Sequence, residues 1–322
     1  MARKPLICVF GGSGFVGRHV VAALAKTGAR LRVAVRNPNE AMYLLPAGGV
    51  GQIQLVNANV GDEASVAAAV AGADTVINLV GLLSQAGDNT FRKVQAEGAE
   101  RVARLAKDAG ATRLIHMSAI GADRESASGY ASTKGDGEML VRGAFANATI
   151  LRPSLVFGPE DNFFNRFAWM ASLSPLVLPF LPLVGGGKTK FQPVYVGDVA
   201  EAVVRVLDNP HWQGKTFELG GPEVFSFRQL MEMICETTHR HRLMVPVPFM
   251  MASIQGAFLQ MLPNPLLTVD QVRLLHHDNV LSGEDGLCTL GDLGISPTAT
   301  DVILPTYLWL YRPHGQFDME VA

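Results

Sequence analysis

Three glycines, Gly11, Gly14 and Gly17, stand at three-residue intervals between the apolar run Leu6–Phe10 and a helix-forming run from Arg18 to Lys26. The spacing suits an anion cradle. Gly11 allows a tight turn out of a strand, Gly14 lets the backbone approach a phosphate, and Gly17 lets the helix lie close to the sheet. The helix N-terminus adds unpaired N–H groups and the positive end of its dipole. The chemistry predicted is a grip on a dinucleotide pyrophosphate by Gly11, Ser13, Gly14, Phe15 and Val16. The competing reading is a glycine-rich turn used only for packing.

The next strand, Leu31-Arg32-Val33-Ala34-Val35-Arg36, bears on which dinucleotide. NAD binders carry an acid about 20 residues past the glycines to hold the ribose hydroxyls. Here that place holds Val35 and then Arg36. A carboxylate would repel a 2′-phosphate, whereas a guanidinium grips one through paired N–H groups. Arg36, flanked by Arg18, therefore predicts NADPH as the cofactor. The alternative for Arg36 is a solvated residue at a strand end.

These motifs need a scaffold. At 322 residues the chain is long enough for one large α/β domain with a smaller lobe. A formal net charge of −2 argues against nucleic acid as a partner. Cys8, Cys235 and Cys288 are scattered, which fits a reducing compartment and suggests neither disulfides nor a metal site. His276 and His277, like His239 and His241, lack partners at ligand spacing, so no metal is expected. Strands over Gln52–Val56, Thr75–Val80, Arg113–Ser118 and Ala148–Leu151 alternate with helices over Glu63–Ala71, Thr90–Ala109 and Tyr130–Arg142. That alternation predicts a Rossmann-type, doubly wound parallel sheet over residues 1–158. A smaller mixed C-terminal lobe follows over 159–322, with a segment near 193–221 returning to the sheet. Ligands in such sheets sit at the carboxyl ends of strands, which adds Asp62, Asn78, Val80, Gly81, Ser118 and Pro153 to the candidates. Asp62 either accepts from an adenine amino group or caps the helix after it. Asp198 is read as the N-cap of a helix over Val199–Leu207.

The glycine pattern resembles the extended or atypical short-chain dehydrogenase/reductase superfamily. So do Tyr130-Ala131-Ser132-Thr133-Lys134, Leu151-Arg152-Pro153 through Gly158-Pro159, Pro193-Val194-Tyr195-Val196-Gly197-Asp198, Phe217-Glu218-Leu219-Gly220-Gly221 and Asp292-Leu293-Gly294. The resemblance implies hydride transfer at a nicotinamide ring, with Tyr130 giving or taking the proton and Lys134 lowering its pKa. Residues i and i+4 share one helix face, so both would reach the nicotinamide ribose. Two departures weigh against catalysis. Gln95 stands where the superfamily has asparagine, and the added methylene displaces the amide. Ser118, the candidate for polarising a substrate carbonyl, falls early, which leaves Ala119 and Ile120 beyond it.

His116-Met117-Ser118-Ala119-Ile120-Gly121-Ala122-Asp123, Pro153 through Ala168, and Lys190 through Val199 are similar to the NADPH-binding accessory subunits of respiratory complex I. That narrower resemblance implies a nucleotide held as a structural cofactor. It also implies contact with peripheral-arm subunits near the membrane and the quinone site. The first strand begins near Leu6, which leaves no room for a targeting peptide. The expected location is therefore the cytoplasmic face of a bacterial inner membrane, peripheral (the matrix side if mitochondrial). The alternative is an active NADP-dependent reductase or sugar-nucleotide epimerase/dehydratase working through Tyr130 and Lys134.

Two apolar stretches in the second half bear on partners. Trp169–Val184 is interrupted by Pro175, Pro179 and Pro182. Residues 243–267 carry Met244, Met250, Met251 and Met261, with a short apolar helix over Phe249–Leu262. Neither can span a bilayer as a helix: prolines break the first, and the proline-free part of the second, Phe249–Leu262, falls short of the roughly 20 residues required. Both are either core of the lobe or a docking face for a protein, with possible lipid contact through 243–267.

Overall fold

The computed structural model describes residues 4–174, 180–262 and 265–315. All five residues of β1 (Leu6–Phe10) are buried, as a central parallel strand covered on both faces requires. Along the chain follow α1 (Phe15–Lys26), β2 (Arg30–Val35), β3 (Ile53–Asn57), α2 (Glu63–Val70), β4 (Thr75–Asn78), α3 (Gly98–Asp108), β5 (Arg113–Met117), α4 (Gly129–Ala144) and β6 (Thr149–Pro153). Then come β7 (Val156–Phe157), α5 (Phe164–Ser172), β8 (Phe180–Val184), β9 (Lys190–Phe191), β10 (Val194–Tyr195), α6 (Val196–Asp208) and β11 (Thr216–Leu219). The last are β12 (Phe225–Ser226), α7 (Phe227–Thr237), β13 (Leu243–Val247), α8 (Phe249–Leu259), α9 (Val269–Leu274), α10 (Thr300–Ile303) and α11 (Pro305–Leu308).

The main sheet has seven strands in the order β11-β6-β5-β4-β1-β2-β3, and all of its pairings are parallel. This is the doubly wound Rossmann order with one further strand at the β6 edge. In α1 the buried residues are Gly17, Val20, Val21, Leu24 and Ala25, the stripe expected of a helix lying on a sheet. The order reverses at β1, between β2 and β4, so the crevice beyond Phe10 and Asn78 is the topological switch point.

The chain divides into two units: Met1–Pro153 with Val196–Leu219 and Ser282–Ser296, and Ser154–Tyr195 with Gly220–Leu281 and Pro297–Ala322. The division falls after Pro153 rather than after residue 158. Ser282–Ser296, assigned to the lobe from sequence, joins the first unit. There Cys288 N donates to the Thr216 carbonyl at 2.9 Å, and Glu218 N donates to the Cys288 carbonyl at 2.8 Å. An irregular edge pairing of this kind has no alternating pattern to announce it.

Two helix readings also change. The expected helix Thr90–Ala109 is a π-helical turn, Arg92–Glu97, running into α3. Gly98 N donates to the Lys93 carbonyl five residues back. The extra residue brings the Gln95 carbonyl against α4, where a Cβ on Gly137 would lie 2.3 Å from it. Asp198 is not an N-cap, because α6 begins at Val196 and Asp198 is buried within its first turn.

In the second unit, Phe157, Phe164, Phe191, Phe227, Leu230, Leu304 and Leu308 form the main core. Buried Asp161 anchors the loop before α5. It accepts from Tyr307 Oη at 2.5 Å, Gly158 N at 3.3 Å and Asn165 N at 3.2 Å. Pro175 and Pro179 lie outside the described residues.

Candidate functional site

The glycine turn heads the switch-point crevice. Gly11 adopts φ +76°, and a Cβ there would sit 3.1 Å from the Leu79 carbonyl carbon and from Val80 N. Gly17 packs closer still, since a Cβ would meet the Gly11 carbonyl oxygen at 2.2 Å. Gly12, which the sequence reading passed over, has the same constraint, with Val33 Cγ1 2.4 Å from the position of a Cβ. Gly14 differs. It is exposed, caps α1 in an extended conformation, and a Cβ would find only the Gly11 oxygen, at 3.4 Å. Gly11, Gly12 and Gly17 thus hold the turn together, while Gly14 leaves open room in front of the helix. Phe15, Val16 and Gly17 are the first residues of α1, whose leading N–H groups have no partner within the helix. This donor set, with a cradle that a side chain at Gly14 would fill, fits a pyrophosphate.

Arg36 follows β2 with its guanidinium exposed and without a hydrogen-bond or ion-pair partner among the described residues. Asn57 Nδ2 holds the Arg36 carbonyl at 2.6 Å. Arg18 lies over the ring of Tyr43, its guanidinium carbon 5.0 Å from the centroid. Tyr43 Oη in turn donates to the Ser13 carbonyl at 2.6 Å. Tyr43 sits on the 3₁₀ segment Asn39–Ala47, and no motif in the sequence pointed to it. Asp62 caps α2, its Oδ1 accepting from Ala64 N at 3.2 Å, which is the capping alternative of the sequence reading.

Farther along the crevice, α4 is capped by Ser128, whose hydroxyl accepts from Ala131 N at 3.3 Å. One turn of α4 brings Tyr130 and Lys134 together, with Lys134 Nζ 6.0 Å from the Tyr130 ring centroid. Lys134 is buried and donates to the Met117 carbonyl at 3.0 Å. Gly81 makes room for it, since a Cβ there would be 3.4 Å from Nζ. Burial pushes the Lys134 ammonium down to about 8, partly opposed by Glu138, and pushes the Tyr130 phenol up to about 12. The Tyr130 shift runs against the expectation that Lys134 lowers it, and its cause is loss of water on burial. Glu138 is itself committed to Arg152, at 2.9 and 2.7 Å.

Ser118 is 3% exposed, and its Oγ has no hydrogen-bond partner among the described residues. Its N–H donates to the Leu151 carbonyl at 2.7 Å, while Ile120 N donates to the carbonyl of Pro153 at 3.0 Å. The hydroxyl thus points into the fold. Gln95 is buried too, its Nε2 3.4 Å from the Leu82 carbonyl and its Oε1 without a partner. The sequence placed Asn78 at a strand end but did not show its partner, His116. Asn78 Oδ1 accepts from Val80 N at 3.1 Å, so its Nδ2 is the group facing His116 Nδ1 at 3.3 Å. No group of histidine, cysteine, aspartate and glutamate among the described residues forms a metal site.

The chain matches the family described as "NAD dependent epimerase/dehydratase" over residues 7–220. It is 35% identical over 319 residues to an Arabidopsis thaliana protein, "NADH dehydrogenase [ubiquinone] 1 alpha subcomplex subunit 9, mitochondrial", covering 95% of this chain and 78% of that one. It is 30% identical over 315 residues to the "NADH-ubiquinone oxidoreductase 40 kDa subunit, mitochondrial" of Neurospora crassa, covering 98% of this chain and 81% of that one. In fold it is similar to a dTDP-glucose 4,6-dehydratase from Streptomyces venezuelae solved with NAD bound. The TM-score is 0.69 at 19% identity, over 95% of this chain and 96% of that one. The chain belongs to the NAD dependent epimerase/dehydratase family, and within it to the group that contains subunit 9 of the alpha subcomplex of mitochondrial NADH dehydrogenase.

Proposed function

We propose that this protein is a nucleotide-binding accessory subunit of respiratory NADH:quinone oxidoreductase, holding NADPH as a structural cofactor and performing no turnover of its own. Its relatives supply the assembly, since the Arabidopsis and Neurospora proteins carry the names of subunits of that complex over nearly the whole length of this chain. A nicotinamide ring, when bound, exchanges a hydride with a partner carbonyl or alcohol. The chain's own groups are poorly set for the accompanying proton. Ser118 is turned inward, Ala119 and Ile120 offer no hydroxyl, and Tyr130 holds its proton far above neutral pH. The inward Ser118 is the observation that carries the non-catalytic reading.

Gly11, Ser13, Gly14, Phe15 and Val16 would hold the pyrophosphate, Arg18 and Arg36 the 2′-phosphate, and Tyr130 and Lys134 the nicotinamide ribose. Asp62, Val80, Gly81 and Pro153 would line the remaining strand ends. Arg36→Asp is expected to weaken NADPH binding on the order of tenfold or more while changing NADH binding little, as titration of the purified chain would read. Equal losses for both nucleotides would contradict the assignment. For the assembly, native purification from detergent-solubilised membranes should recover respiratory subunits with this chain. The second reading, an NADP-dependent reductase or epimerase/dehydratase, is favoured by Tyr130 and Lys134 meeting on one face of α4. Turnover of NADPH with a carbonyl or sugar-nucleotide substrate, abolished by Tyr130→Phe, would replace the first reading with the second.

The docking face is α8 with its flanks. The helix buries Ala252 and Gly256 and turns Met250, Met251, Ile254 and Phe258 outward, with Met261 and Leu262 just beyond. Phe258 is 71% exposed. The core alternative therefore does not hold for these side chains. No helix among the described residues is long and apolar enough to cross a membrane. No charged residue lies between Arg242 and Asp270, so the basic polar face of a free lipid-binding helix is missing. A protein partner near the membrane, on its cytoplasmic or matrix side, with lipid at the margin of residues 243–267, fits best. Phe258→Asp is expected to leave the melting temperature within about 0.5 kcal/mol equivalent of the parent. The same change should sharply reduce co-purification with the complex. Undiminished recovery would remove α8 from the interface.

A further inference from the structure

We infer that Arg152 is a positioning residue for the nucleotide site: by taking both oxygens of Glu138 it keeps that carboxylate off Lys134 and leaves the lysine's donors to the nicotinamide ribose. The inference rests on the assignment of Lys134 to that ribose and adds a residue that the assignment did not contain.

Lys134 and Glu138 stand four residues apart on α4, so their side chains share one face and can reach each other. Both are buried, where opposite charges at that spacing attract strongly. No ion pair joins them, because β6 brings a stronger partner. Arg152 grips Glu138 through two parallel bonds, Nε to Oε1 at 2.9 Å and Nη2 to Oε2 at 2.7 Å. Glu218 lies beside Arg152 in the register of β11 and β6 and attracts the guanidinium without bonding to it. Its Oε2 instead accepts from the Ser282 N–H at 2.7 Å and the Ser282 hydroxyl at 2.9 Å. The guanidinium is therefore left to Glu138. Of the three N–H donors of Lys134, one goes to the Met117 carbonyl at 3.0 Å, and the other two have no partner among the described residues. A Cβ at Gly81 would press on Nζ at 3.4 Å, so the glycine keeps that side of the ammonium clear.

The same arrangement governs how binding depends on pH. Burial lowers the Lys134 ammonium to about 8, and Glu138 pulls against that shift. The titratable groups around it are Tyr130 and Glu138 on α4 and His116 on β5. Tyr130, up at about 12, and His116, down at about 3, each keep one state between pH 7 and 10. Arg124, on the loop against Gly135, pairs with Asp136, and Arg92 of the π turn pairs with Glu97, each at 3.1 Å. The ammonium loses its charge as pH rises, so the affinity of the parent for NADPH should fall above about pH 8.

Calorimetric dissociation constants of the full chain for NADPH, measured from pH 7 to 10, test this without an enzymatic assay. Glu138→Gln removes the opposing carboxylate, and the fall should begin about half a pH unit lower or more. Arg152→Gln releases Glu138 to pair with Lys134. The fall should then begin about one pH unit higher, and affinity at pH 7 should drop about fivefold because the ammonium is diverted. A pair with a structural role alone would weaken binding alike at every pH, whichever partner is removed. The double variant Glu138→Gln with Arg152→Gln should follow Glu138→Gln. Should Arg152→Gln fold poorly, Arg152→Lys keeps the charge but loses the paired grip, and should shift the fall upward by a smaller amount. Lys134→Met should remove the fall altogether. If it does, yet the Glu138 and Arg152 variants shift the fall in the same direction or not at all, the role of Arg152 is wrong and the ribose assignment stands. If Lys134→Met binds NADPH as the parent does at every pH, the assignment falls and takes this inference with it.

Discussion

Gly14→Asp is expected to abolish nucleotide binding while leaving the empty protein at least as stable as the parent. The two halves of that expectation have different causes. Gly14 is the residue before α1, in an extended conformation open to any L-residue, and a Cβ there meets only the Gly11 oxygen at 3.4 Å. Aspartate is a better N-cap than glycine by a few tenths of a kcal/mol, and its charge adds about 0.3–1 kcal/mol against the helix dipole. The same carboxylate takes the N–H groups that a pyrophosphate would use and places a negative charge where another must come. Losing two charge-assisted hydrogen bonds of about 1.5–3 kcal/mol each corresponds to at least about a 100-fold loss of affinity. Thermal melts with and without NADPH separate the effects. The parent should gain about 2.7 kcal/mol at a ligand concentration 100 times its dissociation constant. The variant should gain no more than about 0.4 kcal/mol. Gly14→Ala, which carries no charge, should fold equally well. A Gly14→Asp protein that NADPH stabilises as much as the parent would show that the glycine turn serves packing alone.

That outcome matters because so much of this site was readable before any coordinates. The three glycines separate into two that pack and one that stays open, as their positions between strand and helix predicted. The parallel sheet was legible because the alternation of strands and helices is a property of single segments. What the sequence hid depends on pairs of residues far apart in the chain. Tyr43 meets Ser13 across thirty residues, and nothing local marks that tyrosine. The π turn at Arg92–Glu97 shows no change of period, because a helix with one extra residue has nearly the same apolar pattern. Gln95 was noticed as a departure, but its consequence depends on Gly137 of α4 accepting its carbonyl. The Tyr130 phenol went the other way from expectation because pairing with Lys134 is visible in spacing, whereas loss of water is not. On α8 the apolar residues were evident, yet only the fold shows that the small residues face inward and the large ones outward.

His116 supplies the second large effect, a loss of stability in mild acid. The ring stands one residue before the end of β5, is 1% exposed, and faces Asn78 through Nδ1. Because Asn78 Oδ1 is engaged by Val80 N, the Asn78 NH₂ points at the ring, and Nδ1 must accept. The neutral imidazole therefore carries its proton on Nε2, which has no partner among the described residues. A second proton would have to enter at Nδ1, against another donor, in a buried site near the Lys134 charge. Burial first, and Lys134 second, push His116 down to about 3 from an ordinary 6.5. The sign follows from proton counting. Between those two values the unfolded chain binds a proton that the folded chain does not, so folding weakens as pH falls below 6.5. The slope is about 1.4 kcal/mol per pH unit, or about 2 kcal/mol between pH 6.5 and 5. Urea melts at pH 7 and pH 5 should show that loss in the parent. In His116→Gln, whose side-chain oxygen can accept from Asn78 but cannot titrate, the loss should be smaller by about the same 2 kcal/mol. All other titrating groups are common to both proteins and cancel in the difference. Should His116→Gln fold poorly, His116→Asn offers the same acceptor on a shorter stem. Parallel pH dependence in the parent and in either folded variant would mean that the ring is solvated and that the Asn78–His116 pair does not keep charge out of the floor beneath Lys134.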